Sequence, residues 1–302
     1  MNRYFYATFY PFFKGLLSYR VMLLAFSAYC LLFPPPAFSA VLNSKVYEID
    51  SCPYYIATLS TTEYLQQSSY LKRQIVSFSK GVCDLRIVQT SSFQEVSKFK
   101  VVSGRQYPNA FSGVDIKILA VLDTLKSIPV NSTLLWLDSS TIVLNSIDTA
   151  EGESLLHGKD LLFAQEVVGK KFSANIGVIL MKNTPQLVIF FNLTLTYIRA
   201  GYWDQGIICC LLGIPTRHSC EHIERYRGKI KWSYLKRAFA AIKSIKGNSK
   251  CRLDNNVHRG KRKLPVFLKL IGDKEKRSKC LKLFREGHQN LLKKRKTAFS
   301  NT

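Results

Sequence analysis

The chain has 302 residues, of which 47% are hydrophobic and 12% aromatic. That composition excludes a disordered or fibrous protein and leaves room for one large α/β domain, or two small ones, with a sizeable core. The formal charge of +24 is unevenly placed: from Arg225 onward 25 Lys and Arg face only 4 Asp and Glu, so a near-neutral body carries a strongly basic C-terminal quarter.

The N-terminus reads as an export signal. Arg3, Lys14 and Arg20 precede an apolar run from Val21 to Phe33, which ends at Pro34-Pro35-Pro36 and the small residues Ala37 and Ser39. A mainly apolar run of thirteen residues suits a signal-peptide core better than a full span of about 20. Taken from Gly15 to Phe33 the segment would instead be a type II signal anchor. Either reading predicts a secretory address, in the ER or Golgi lumen or outside the cell, with residues 1–40 as leader. The sequons at Asn131 and Asn192 agree with that address. Seven cysteines follow the leader, an odd number, so at least one is free or bonded to another chain.

Tyr54 to Leu59 predicts a first strand, and Ser60-Thr61-Thr62-Glu63 has the form of a capping box for a helix through Tyr64, Leu65, Leu71 and Ile75. Leu85 to Val88 predicts a second strand, which makes a βαβ unit with a parallel sheet. An irregular stretch from Ser91 to Gly113 is followed by a helical pattern from Val114 to Leu125. Leu134 to Leu137 is an apolar run with the length of a buried strand; it ends in Asp138-Ser139-Ser140 and resumes as Thr141 to Leu144. A carboxylate at the C-terminal tip of a buried parallel strand sits where open α/β sheets place their ligands.

Further strands are predicted from Lys159 to Ala164 and from Val178 to Met181, the second preceded by Asn175-Ile176-Gly177 as turn residues. A helix is predicted from Pro185 to Ile198. Asp204-Gln205-Gly206 opens the apolar segment Ile207 to Leu212, with Asp204 a candidate N-cap. Lys236 to Lys246 reads as a basic amphipathic helix and Val266 to Ile271 as a last strand. His218 and His222 have the i, i+4 spacing of a zinc pair, but no second ligand pair accompanies them, so a surface helix or loop is expected.

Four short elements thus stand in fixed order at the edges of apolar segments: Asp138-Ser139-Ser140, Asn175-x-Gly177, Asp204-Gln205-Gly206 and Lys269-x-x-Gly272. In this order the chain, over roughly residues 52–284, resembles the glycogenin-like and galactinol-synthase-like glycosyltransferases. The resemblance implies a single GT-A type, Rossmann-like α/β domain over 41–285 with a mostly parallel central sheet; the charge pattern leaves 286–302 as a basic tail. It also implies transfer of a hexose or pentose from a nucleotide-sugar donor to a glycan, glycoprotein or lipid acceptor, with retention of configuration. On the donor side it implies Thr58, Tyr64, Asp138, Ser140, Asn175 and Gly177; on the side of the transferred sugar and acceptor, Asp204 and Gln205, with Lys269 beside the diphosphate.

In that family a divalent metal, commonly Mn2+, is held by a D-x-D and by the His of an H-x-x-G. Here Asp138 remains as a metal-ligand candidate, Ser140 stands for the second carboxylate and Lys269 for the His. Three explanations follow. The enzyme works without tightly bound metal, using Lys269 and Lys274; or catalysis has been lost and the fold binds a glycan, a polyanion or a partner enzyme; or His258 is the surviving ligand. The basic quarter reads first as a solvated surface; as a binding patch it suits acidic glycans or lipid head groups better than nucleic acid, given the export signal, and the N-terminal segment predicts membrane association.

Overall fold

The computed structural model describes residues 43–47, 54–60, 65–78, 84–89, 114–245, 265–273, 275–284 and 286. All belong to a compact unit spanning Leu42–Thr302. Tyr64, His258, Lys274, the leader and the basic tail from residue 287 lie outside them, as does the stretch 90–113.

In chain order the elements are β1 (Asn43–Tyr47), β2 (Tyr54–Ser60), α1 (Leu65–Phe78), β3 (Asp84–Gln89), α2 (Val114–Ser127), β4 (Thr133–Leu137), β5 (Thr141–Val143), α3 (Thr149–Leu156), β6 (Leu161–Val168), β7 (Lys171–Lys182), α4 (Pro185–Arg199), α5 (Asp204–Leu212), β8 (Trp232–Tyr234), β9 (Ala240–Ile245) and β10 (Phe267–Gly272). A last helix, α6, covers 275–284. The class is α/β. Seven strands form a central sheet in the order β1-β3-β2-β4-β7-β6-β8, and β5-β10-β9 form a second, smaller sheet.

The central sheet is mixed, not mostly parallel. β2 runs parallel to β3 and to β4, and β6 parallel to β8, whereas β1–β3, β4–β7 and β7–β6 are antiparallel. For β6 and β7 the reason lies in their connection, a tight hairpin turning at Gly169 with φ +62. A two-residue link can join only antiparallel neighbours.

Strand burial explains the apolar runs. On β4, Leu134 and Trp136 enter one core with α2, α4 and α5, while Leu135 and Leu137 enter the core on the opposite face. β6 and β7 alternate in the same way, Ile179 and Met181 on the first face and Val178 and Leu180 on the second. Each such side chain contributes about 1.5–3 kcal/mol, so a strand covered on both faces needs no polar alternation.

Three local expectations differ from the structure. Lys236 to Lys246 is no helix: residues 240–245 form β9, parallel to β10. The β-branched Ile242 and Ile245 fit a strand, and pairing with β10 outweighs the helical spacing of the basic residues. Asn175 to Gly177 is not a turn before a strand but lies inside the twelve-residue β7. Asp204 is not an N-cap; Trp203 holds that position without a side-chain cap bond, and Asp204 is the first helical residue. His218 and His222 lie in the loop after α5.

Among the described residues no helix is long and apolar enough to cross a membrane. Cys210 and Cys220 are joined by a disulfide, and Cys209 is a free, buried thiol.

Candidate functional site

The site forms at the C-terminal tip of β4. After Leu137 the chain leaves the sheet, and the turn closes with Thr141 N donating to Asp138 O at 2.9 Å. Asp138 shares the face of Trp136, whose indole Nε1 donates to Asp138 Oδ1 at 3.1 Å.

A wide bulge in β7 brings the next residues over this tip. Phe163 pairs with Ile179, but the following Ala164 pairs with Asn175, so Ile176, Gly177 and Val178 have no partner on β6. The freed Gly177 carbonyl turns to β4 and accepts from Asp138 N at 2.8 Å. Gly177 N is held in turn by Asn175 Oδ1 at 2.9 Å.

β10 then delivers Lys269. Its antiparallel register with β5 sets Lys269 against Thr141. The ammonium donates to Asp138 Oδ2 and to Ser140 Oγ, each at 2.6 Å. The lysine stem runs directly over Gly177, where a Cβ would lie 2.5 Å from Lys269 Cε. Only glycine leaves room for it.

Lys117 on α2 approaches from the other side, with Nζ 2.9 Å from Asp138 Oδ1 and 3.4 Å from the Ile176 carbonyl. Asp138 therefore lies between two ammonium groups. Burial favours its neutral acid, but Lys117 and Lys269 outweigh that and hold the carboxyl well below its usual range. For Lys269 burial wins: with 5% of its surface exposed, it is pushed down to about 8 despite Asp138. Lys117 is moved the other way, because the pull of Asp138 and Asp204 exceeds the cost of burial.

Asp204 and Gln205, the first two residues of α5, face the same region. Burial raises the Asp204 carboxyl, with Lys117 opposing the rise. Its Oδ1 accepts from Gln205 N at 2.7 Å. Gln205 Nε2 and Asn175 Nδ2 both donate to Glu166 Oε2, at 3.2 and 2.9 Å. Thr58 lies on β2 one position past the Ala57–Trp136 pair; it is fully buried, and its Oγ1 has no hydrogen-bond partner among the described residues.

The structure thus brings Asp138, Ser140, Lys269, Asn175, Gly177, Asp204 and Gln205 into one connected network, with Thr58 at the same edge of the sheet. Two members have no sequence signal. Lys117 sits between Ile116 and Ile118 in an apolar helix, where a lysine reads as a solvent-facing residue. Glu166 sits where β6 passes from its buried half to its exposed tip.

These donors do not fit a hard divalent cation. Such an ion needs several oxygen ligands, but the gap between residues 138 and 140 is filled by the Lys269 ammonium, and among the described residues Asp138 is the one carboxylate bonded to it. Among the described residues no group of three or more His, Cys, Asp or Glu could hold a metal ion.

No protein-family model matches this sequence, and no curated protein matches it. Among solved structures the chain is similar to a glycosyltransferase involved in glycosylation of the major capsid of PBCV-1, at 11% identity and TM-score 0.48, covering 77% of this chain and 98% of that one. It is similar to the apo form of the glycosyltransferase GlyE of Streptococcus pneumoniae TIGR4, at 13% identity and TM-score 0.44, over 73% of this chain. It spans about half (55%) of the GlyE chain. It is also similar to mouse xyloside xylosyltransferase 1, at 11% identity and TM-score 0.40, over 74% of this chain and 98% of that one. Likenesses this remote concern the course of the chain, and the chemistry of the site rests on its own residues.

Proposed function

We propose that the chain is a nucleotide-sugar glycosyltransferase of the GT-A type whose diphosphate is met by lysine instead of a tightly bound metal. The observation that carries this reading is the Lys269 ammonium lodged between Asp138 Oδ2 and Ser140 Oγ. In the family that the sequence resembles, a divalent cation is held by the residues at those positions. Here a cation is built into the chain.

The chemistry needs one. The bond from the sugar's anomeric carbon to the diphosphate breaks with its electron pair leaving on phosphate, while an acceptor hydroxyl forms the new bond and its proton passes to the departing phosphate oxygen. Negative charge grows on the leaving group, and fixed cations in a dry site stabilise it. Lys117 and Lys269 against the single strongly ionised Asp138 leave an excess of positive charge there. Asn175 and Gly177 would approach the donor sugar, and Asp204 and Gln205 the sugar and its acceptor. A hexose or pentose donor and a glycan, glycoprotein or lipid acceptor complete the reading. The reading of the N-terminal segment as an export signal suits work in the secretory pathway, and the Cys210–Cys220 disulfide supports an oxidising compartment.

Calorimetric titration of the purified chain with UDP and with GDP, each with manganese and with chelator, tests the reading. Micromolar binding of one nucleotide that ignores chelator is expected, and Lys269→Ala should abolish it along with turnover. Binding that requires manganese would overturn the lysine's role. No nucleotide binding under any condition would favour an inactive relative that binds a glycan, a polyanion or a partner enzyme.

A further inference from the structure

Glu166 joins the two halves of the site. Its single oxygen Oε2 accepts from Nδ2 of Asn175, inside the β7 bulge, and from Nε2 of Gln205, in the first turn of α5. We infer that Glu166 is a positioning residue that sets the amide orientation of both, and so decides which of their atoms face the transferred sugar and the acceptor. The inference rests on the transferase reading and adds to it a residue that neither motif contains.

The physical reason is the one-way character of a carboxylate, which only accepts. Each amide must turn its NH2 group to Glu166, and its oxygen must then point to the opposite side. For Asn175 the consequence is visible in the hydrogen bonds: Oδ1 accepts from Gly177 N at 2.9 Å, and the Gly177 carbonyl accepts from Asp138 N at 2.8 Å. Glu166 is thereby tied, through three successive hydrogen bonds, to the Asp138–Lys269 pair. For Gln205 the same constraint leaves Oε1 without a hydrogen-bond partner among the described residues, suited to a sugar or acceptor hydroxyl. A neutral amide at residue 166 could turn either its oxygen or its NH2 group to the pair, and with NH2 turned to them both partner amides would be held reversed, so the joint orientation would no longer be specified.

Glu166→Gln and Glu166→Asp in the full chain test this, read by nucleotide titration, by kcat and KM for transfer, and by the 15N–1H signals of the Asn175 and Gln205 side-chain amides. In Glu166→Gln, nucleotide affinity should stay within about twofold of wild type, since Lys117, Asp138 and Lys269 are untouched, while kcat falls roughly ten- to a hundredfold. Both amide signals should move, and Glu166→Asp should recover part of kcat. In a Gln205→Ala background the further loss from Glu166→Gln should shrink to the part carried through Asn175, and so be smaller than in wild type.

Losses that multiply fully in that background would overturn the inference, because Glu166 would then act on substrate directly. Unmoved amide signals with unchanged kcat would overturn it as well. If wild type binds no nucleotide, the transferase reading fails, and the amide signals alone decide whether Glu166 orients the pair. Should Glu166→Gln not fold, Glu166→Asp carries the same comparison, with a kcat loss and moved amide signals expected and neither overturning the inference.

Discussion

The Lys269 ammonium lies 2.6 Å from Asp138 Oδ2, although 131 residues separate the two along the chain. Asp138 ends a strand of the central sheet, and Lys269 belongs to the small one. The contact therefore depends on how β10 pairs with β5. Its environment makes the lysine both a cation at neutral pH and one that can be discharged in mild alkali.

That gives the first prediction. Burial lowers Lys269 to about 8 against the opposing pull of Asp138, with Lys117 adding to the fall. A bound diphosphate favours the ammonium, so its pKa is higher in the complex than in the free protein. Nucleotide affinity should be flat below about pH 8 and then fall by up to about tenfold per pH unit. Calorimetry across pH 6.5–9.5 measures it, and a flat profile would contradict the assigned role.

Acid stability has the opposite sign. The Asp138 carboxyl is held far below its ordinary 3.8 in the folded chain. Its contribution is therefore complete above that ordinary value and is lost as pH falls through and below it. Lys269 works the other way, costing stability at neutral pH that is relieved as pH rises from about 8 toward 10.5. Asp138→Asn should flatten the acid limb of a denaturation midpoint plotted against pH.

Gly177→Ala tests the close approach. The added Cβ would stand 2.5 Å from Lys269 Cε and 2.9 Å from Asn175 Oδ1. Overpacking of this kind costs about 1–3 kcal/mol, and displacement of the ammonium should also weaken nucleotide binding. Urea denaturation and calorimetry on the same variant separate the two effects.

Restoring carboxylate and imidazole should restore a metal site. The double variant Ser140→Asp, Lys269→His removes the ammonium and adds two ligands for a divalent ion. Manganese binding, read by loss of the free-ion electron paramagnetic resonance signal, should appear in the double variant and be absent from wild type. Nucleotide binding should become sensitive to chelator in the same step.

The Cys210–Cys220 disulfide pins the loop after α5, with a sequence separation of 10. Within that loop His218 packs on Gly206, where a Cβ would lie 2.6 Å from the ring. Replacing both cysteines by serine should cost about 3 kcal/mol. Because the loop covers the turn that carries Asp204 and Gln205, transfer should fall more than nucleotide binding does.

Much of the site is legible in the sequence. Asp138, Asn175, Gly177, Asp204 and Lys269 each stand at a break in an apolar run, and such a break is a local signal that one segment reveals. The replacement of a second carboxylate by Ser140 and of a histidine by Lys269 is equally visible. Lys117 and Glu166 are hidden, since each looks like an ordinary charged residue on its own element. Only its partners on other segments give it meaning.

By itself the sequence determined most of the strands and helices that carry the site, because burial on one or both faces writes its period into neighbouring residues. It also determined the positive character of the site, which follows from residue types alone. Tertiary structure decided the rest: the mixed direction of the central sheet, the three-residue bulge in β7, the strand at Ala240–Ile245 and the pairing of Lys269 with Asp138. Each of these is a matter of register between segments far apart in the chain. Register is set by the summed packing of whole strands, and no single stretch of residues carries it.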